Sequence, residues 1–299
     1  MDILNRRRLF ILFSTLVLTV VGCATFKADW KPPESTSDNA IALAAPKLSN
    51  GSVAMEIEFV SINLTGLETK ISQSKLQSAT VNDFWHWIDE TAVASDVRSE
   101  LRLNGIRVGR VHTQSEFRRS LDAFRRVPED AATKLLRDAS IGSDVIQPAK
   151  KEILRLGKRH ELPVRPPSVG SVATLINVGG KTIGKTLDSA QPLFAVNLVS
   201  SDASTVNIRL QPEIQFGAMK QTYVTSDSAL RIANRRDHWA IPELAFDLSA
   251  SENDVIVVGA IMPPFGLGQQ MFTGSTADGE TDHALMVLRV AEMPKVLGP

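Results

Sequence analysis

After Gly142 the chain becomes a succession of short runs rich in Val, Ile, Thr and Leu, set between Gly, Pro, Asn and Asp. The runs are Ser171–Val178, Leu193–Val199, Thr205–Leu210, Ile214–Met219, Val255–Ile261 and Leu285–Val290. That spacing predicts antiparallel strands in a sandwich or an open sheet. The text upstream has a different rhythm. Val53, Met55, Ile57 and Phe59 alternate with smaller or charged neighbours, the period of a half-buried strand. A helical stretch is expected near Asn82 to Leu103, with Asn82 and Ser95 as N-caps of its two segments and Asn104-Gly105 as a left-handed stop. Ile106 to Val111 reads as a strand. Thr113 and Glu116 form a capping box ahead of Phe117, Leu121 and Phe124, and Pro128 suits the first turn of a helix carrying Ala131, Leu135 and Leu136. The expected fold class is α+β: a small mixed α/β module over residues 52–141, then an antiparallel β-rich domain over residues 142–299, with the switch near 141–166.

The N-terminus reads as an address. Arg6, Arg7 and Arg8 precede an apolar or small run from Leu9 to Gly22 that ends at Cys23, the single cysteine of 299 residues. This is the pattern of a secretory signal. As a helix the run rises only ~21 Å, short of the ~30 Å of a hydrocarbon core, so a simple membrane anchor is the weaker reading. Val20-Val21-Gly22-Cys23 resembles the lipobox of bacterial lipoproteins. The resemblance implies a signal peptide over residues 1–22, recognised through Val20, Val21 and Gly22, and an acylated Cys23 as first mature residue. Residues 23–51, with Lys-Pro-Pro-Glu-Ser-Thr-Ser and no sustained period, then read as a tether. A lone, acylated cysteine leaves an exported chain no disulfide to form. Ala24 is not the Asp associated in that family with inner-membrane retention, so the outer membrane is the expected destination in a diderm host.

Basic and acidic side chains balance at 33 each, which argues against a protein that coats nucleic acid. The balance hides an asymmetry: residues 95–160 are rich in Arg and Lys, and residues 240–299 in Asp and Glu. Such a chain can associate head to tail, or simply carry solvated faces of opposite sign.

Motifs for catalysis are few. Gly179-Gly180-Lys181-Thr182-Ile183-Gly184-Lys185-Thr186 fits G-x-x-x-x-G-K-[ST], the phosphate-cradling loop that needs a helix after its Thr. Pro192 lies too close for that helix to run, so Val178-Gly179-Gly180-Lys181 is expected to be a hairpin turn. Leu244-Ala245-Phe246-Asp247 is a poor magnesium-binding companion. Ser72-Gln73-Ser74-Lys75 matches S-x-x-K without its usual partners. His86, His112, His160, His238 and His283 are scattered and show no metal-ligand spacing. No catalytic residue, metal or cofactor is assigned. In Phe84-Trp85-His86-Trp87-Ile88, an α-helix would put Phe84, Trp87 and Ile88 on one face and turn Trp85 outward as a contact residue. The pairs Arg118-Arg119 and Arg125-Arg126 flank the Phe117/Leu121/Phe124 stripe and are candidate contacts for anionic lipid or an acidic partner.

One resemblance concerns the chain's end. Asp254 to Ile261, then Phe265-Gly266-Leu267-Gly268-Gln269-Gln270-Met271-Phe272, then Ala284 to Val290, is similar to the end of the secretin core domain. There a strand leads through a gate segment to a closing strand. Val206 to Ile214 resembles an earlier secretin strand of the form V-x-L-x-x-x-P-x-I. The gate is reduced here to Met262-Pro263-Pro264-Phe265-Gly266, and the family's terminal Thr-Pro is replaced by Val290-Ala291. The resemblance implies a β-rich domain whose edges pair between subunits, without implying a pore. The expected function is that of a non-enzymatic, lipid-anchored protein of the bacterial envelope. It would act in structure or assembly, with a homo-oligomer or an envelope protein as partner. The competing reading is a binding module for glycan or lipid, using Trp85, Trp239 and the Arg pairs.

Overall fold

In the computed structural model the described residues are 48, 51–62, 83–125, 150–202, 204–226, 229–275 and 281–293, without the side chains of 83–84 and 222–233. Their elements, in chain order, begin with β1 (Ser52–Ile62), a 3₁₀ turn (Asp83–Trp87), β2 (Ile88–Asp89) and α1 (Ser95–Leu103). Next come β3 (Ile106–Val111), α2 (Gln114–Phe124), β4 (Lys150–Arg155), β5 (Arg159–Pro163) and β6 (Ser171–Val178). They continue with β7 (Lys181–Asp188), β8 (Gln191–Ser201), β9 (Thr205–Ser226), β10 (Ala229–Ala240) and β11 (Phe246–Ser251). The last are β12 (Val255–Ala260), α3 (Gly266–Phe272), β13 (Thr273–Ser275) and β14 (Thr281–Glu292). The fold is a β-rich α+β arrangement of antiparallel sheets. The signal, the tether up to Lys47, the helix expected from Pro128, Ser72 to Lys75 and Arg126 lie outside the described residues.

A seven-stranded sheet runs β2-β3-β12-β14-β1-β4, with β13 added to β14, and a five-stranded sheet runs β10-β9-β8-β5, with β11 added to β9. Strands β1 and β3 therefore pair with β14 and β12, drawn from the other end of the chain. This corrects the division at 141–166: residues 52–141 are not a module of their own, and Leu48–Pro299 forms one compact unit. Periodicity identifies strands but not which distant strand each one joins.

The alternation in β1 decides how the layers stack. Val53, Met55, Ile57 and Phe59 enter a core shared with Phe194, Val196 and Leu198 of β8 and Ile208 and Leu210 of β9, while Val60 and Ile62 face the other side. On that side Phe117, Leu121 and Phe124 of α2 cover Val255 and Val257 of β12 and Leu285 and Val287 of β14. The seven-stranded sheet is thus covered on both faces. This is why β12 reads as an unbroken apolar run, buried at every residue. Each such side chain contributes roughly 1.5–3 kcal/mol on burial.

The α2 stripe is buried as its spacing implies. The capping box is not made: Thr113 is the N-cap residue, but its hydroxyl meets the His112 ring at 2.9 Å instead of the helix N–H groups. Helix α1 stops where Asn104-Gly105 places it, with Gly105 at φ +78°. Asn104 is fully buried and ties three elements together. Its amide nitrogen donates to Glu100 O (2.8 Å) and Asn177 O (2.7 Å), and its side-chain oxygen accepts from Asn177 N (2.7 Å). Its backbone carbonyl accepts the Gly268 N–H of α3 at 2.8 Å. A Cβ at Gly268 would collide with the Gly105 backbone, so glycine there is a packing requirement.

Candidate functional site

Strand β9 is twice as long as its neighbour β8, and that difference creates the most distinctive surface of the described residues. Two expected runs, Thr205–Leu210 and Ile214–Met219, are one continuous strand across Pro212. Proline is accommodated because it falls where β9 has no ladder partner on one side: β11 pairs only up to Leu210 and β10 only from Glu213. The missing N–H is not needed there. On its other side β9 pairs with β8 from Val206 to Gln215. Beyond Gln215 it is hydrogen-bonded, among the described residues, to β10 alone, in register from Lys220↔Arg235 to Ser226↔Ala229. Residues 217–226 and 229–235 thus form a two-stranded arm extending past the sheet.

The root of the arm is clamped. A register shift between Arg235 and Asp237 puts Arg236 in a bulge opposite Gly217, which takes φ +72°. Arg236 Nε donates to Gly217 O (2.9 Å), and its guanidinium reaches Ser189 O on the β7–β8 connection and, at 3.4 Å, Gln191 Oε1 at the start of β8. Lys220 Nζ meets Asp237 Oδ2 at 2.5 Å across the two strands. Just below, Trp239 of β10 lies under Lys185 Nζ of β7, 4.2 Å from the ring centroid. A bulge, a glycine outside the usual φ range and a converging arginine fix where the arm leaves the sheet. Met219 is 66% exposed on the arm.

Trp85 requires a correction. It is 4% exposed and belongs to the core beneath α2, with Arg107 Cζ 4.3 Å from its ring centroid. The cause is the local helix type. Asp83–Trp87 is a 3₁₀ turn that passes directly into β2 at Ile88, so an α-helical spacing does not apply to Trp85, and Trp85 is buried in the same cluster as Ile88. An α-helical wheel turned it the wrong way. The Phe84 side chain is outside the described set.

Of the arginine pairs, the described members Arg118, Arg119 and Arg125 do not share one contact. Arg118 and Arg119 are exposed, and Arg119 meets Glu116 on its own helix at 2.7 Å. Arg125 binds Glu58 of β1 at 2.9 Å and Asp122 at 3.6 Å. The segmental charge asymmetry is likewise partly closed within the chain, by Arg110–Asp254 (3.7 Å) and Lys151–Glu292 (3.6 Å).

The G-x-x-x-x-G-K-[ST] text forms a β-hairpin. Gly179 and Gly180 take φ +56° and +73°, β6 pairs with β7 through Val178↔Lys181, and a strand follows where a phosphate loop needs a helix N-terminus. Asp247 lies on β11 and is bound by Arg209 through two hydrogen bonds of 2.8 and 2.7 Å. Among the described residues, no group of three or more His, Cys, Asp or Glu is placed to hold a metal ion, and no helix is long and apolar enough to cross a membrane.

Two charge clusters, one buried and one half-buried, were not legible in the sequence. Arg165 and Asp282, 5% and 7% exposed, pair at 2.9 Å. Arg165 also donates to Phe272 O (3.0 Å) and Asp282 O (3.2 Å), and Ser61 donates to Asp282 Oδ1. His283 is next in sequence, but strand alternation sends it to the opposite face, so Ser61, Asp282 and His283 form no catalytic triad. Burial pushes the His283 imidazole below its ordinary pKa, and its Nδ1 is buried with no hydrogen-bond partner among the described residues. The second cluster centres on Glu90. Burial opposes its ionisation, yet hydrogen bonds from Arg107 and Arg102 outweigh that and hold its carboxyl below the usual range. Both clusters are ion pairs that fasten elements together.

No protein-family model, curated protein or solved structure matches this chain. In the secretin-like end, the reduced gate over residues 262–265 is irregular chain, and the Gly266–Phe272 run that follows is helix α3, with Leu267, Gly268, Met271 and Phe272 buried. It is a core element here. The β-rich character that the resemblance implied is present in β9, β12 and β14.

Proposed function

We propose that the chain is a lipid-anchored protein of the bacterial envelope, non-enzymatic, which works in structure or assembly through protein–protein contacts made by the β9–β10 arm. The arm carries the reading. An isolated two-stranded ribbon is marginal in water, and exposed strands are templates for pairing, so an arm with a clamped root is best explained as a contact element. The Val20-Val21-Gly22-Cys23 text supports the anchor, and residues 23–51 supply reach from a membrane surface. The glycan- or lipid-binding alternative loses support because Trp85, its main contact, is in the core.

Trimming the arm tests this. Lys220 and Arg235 face each other in register, so replacing residues 221–234 with Asn-Gly closes a two-residue hairpin and leaves the clamp intact. The trimmed protein should keep its thermal stability and membrane attachment while losing its cross-linked species in intact cells. Unchanged cross-links would refute the contact role. Cys23→Ala should separately abolish acylation and release the chain from the membrane fraction.

A further inference from the structure

We propose that the outer edge of β9, residues 217–226, pairs antiparallel with the same edge of a second copy about a two-fold axis. This rests on the assembly reading and names its partner.

Most strand edges in the described structure are obstructed. Strand β4 carries Lys150 and Lys151, β5 ends in Pro163, and β7 carries Lys181 and Lys185. Strand β6 is capped at Asn177, whose backbone N–H and C=O are both taken by the Asn104 side chain. On β10, Arg231, Arg235 and Arg236 and a bulge occupy the edge. Charges, proline, bulges and covering groups are the usual ways in which an edge is kept from adding a strand.

The outer edge of β9 is different. Gly217 to Ser226 holds no proline and a single charge, Lys220, which pairs with Asp237 of β10 across the ribbon. Thr222, Tyr223, Val224 and Thr225 are all residue types favoured in strands. Among the described residues nothing pairs with this edge beyond Gln215.

Charge selects a second copy through this edge. Two antiparallel strands related by a two-fold meet as mirror lists of residues, so one sequence is its own complement. With the axis at Thr222, Lys220 stands at the position opposite Val224, and Met219 opposite Thr225. No like charges face each other. The same operation on β10 would gather Arg231, Arg235 and Arg236 against their copies, which is repulsive. The β9 edge is therefore the neutral, self-complementary one, and joining two copies would continue the sheet through both arms.

The experiment uses the full chain in a mild detergent, its mass read by analytical ultracentrifugation over a wide concentration range. The expected result is a particle of two chains, weakened at least ten-fold by Met219→Lys with Gln221→Lys, while the thermal midpoint is unchanged. Thr222→Cys, which lies on the axis opposite its own copy, should give a disulfide-linked pair on mild oxidation. One chain per particle at every concentration would overturn the proposal, as would a dimer indifferent to the lysines. If the particle is a single chain yet trimming the arm still removes cross-links in cells, the two-fold pairing falls and the assembly reading stands. If neither measurement responds, both fall.

Discussion

Replacing Arg165 with Met removes the cation from a buried pair that joins the segment before β6 to β1, α3 and β14. The carboxylate of Asp282 would keep its hydrogen bond from Ser61 but lose the guanidinium at 2.9 Å, while remaining almost without solvent. Phe272 O and Asp282 O would lose donors at 3.0 and 3.2 Å. Breaking one side of a buried ion pair costs roughly 3–5 kcal/mol, because the remaining charge is stranded. In a unit of this size that lowers the melting temperature by roughly 6–20 °C. Asp282→Leu combined with Arg165→Met removes both charges, so the double variant should recover most of the loss. Urea unfolding followed by tryptophan fluorescence gives all four corners of the cycle. A loss below about 1 kcal/mol in Arg165→Met, or a double variant no better than the single, would refute the account of this pair.

Trp85→Ala should cost roughly 3–5 kcal/mol by emptying a core position, where an exposed tryptophan would cost under about 0.5 kcal/mol; thermal unfolding distinguishes them. Asn104→Ala leaves the N–H and C=O of Asn177 without partners and should cost roughly 2–4 kcal/mol, read by urea unfolding. The depressed His283 pKa predicts loss of stability on acidification. The unfolded chain takes up a proton near 6.5 and the folded one only at lower pH, so stability falls as pH drops below about 6.5, by at most ~1.4 kcal/mol per pH unit, and levels off once the folded form also protonates. His283→Gln should flatten that part of the stability-against-pH curve.

What was legible was local. The limits of β3, the stop at Gly105, the Gly179-Gly180 turn and the buried stripe of α2 depend on residues within a few positions of one another. Strands β4, β5 and β10 escaped notice because Lys-Lys-Glu-Ile-Leu-Arg, Arg-His-Glu-Leu-Pro and Asn-Arg-Arg-Asp-His are edge sequences, where charge replaces apolar alternation. The pairing of β1 with β14 joins opposite ends of the compact unit, and alternation in one strand does not name its neighbour. The arm was hidden for a related reason. Pro212 looked like the end of a run, and it is tolerated only because β10 and β11 leave a gap beside it.

The most direct test of the arm's role is a photo-cross-linking residue placed at Met219 in intact cells, with Arg118 on the opposite side of the seven-stranded sheet as reference. The account predicts a discrete protein adduct from position 219 and none from position 118. Adducts from 118 with none from 219 would contradict it and return the contact role to the arginines of α2.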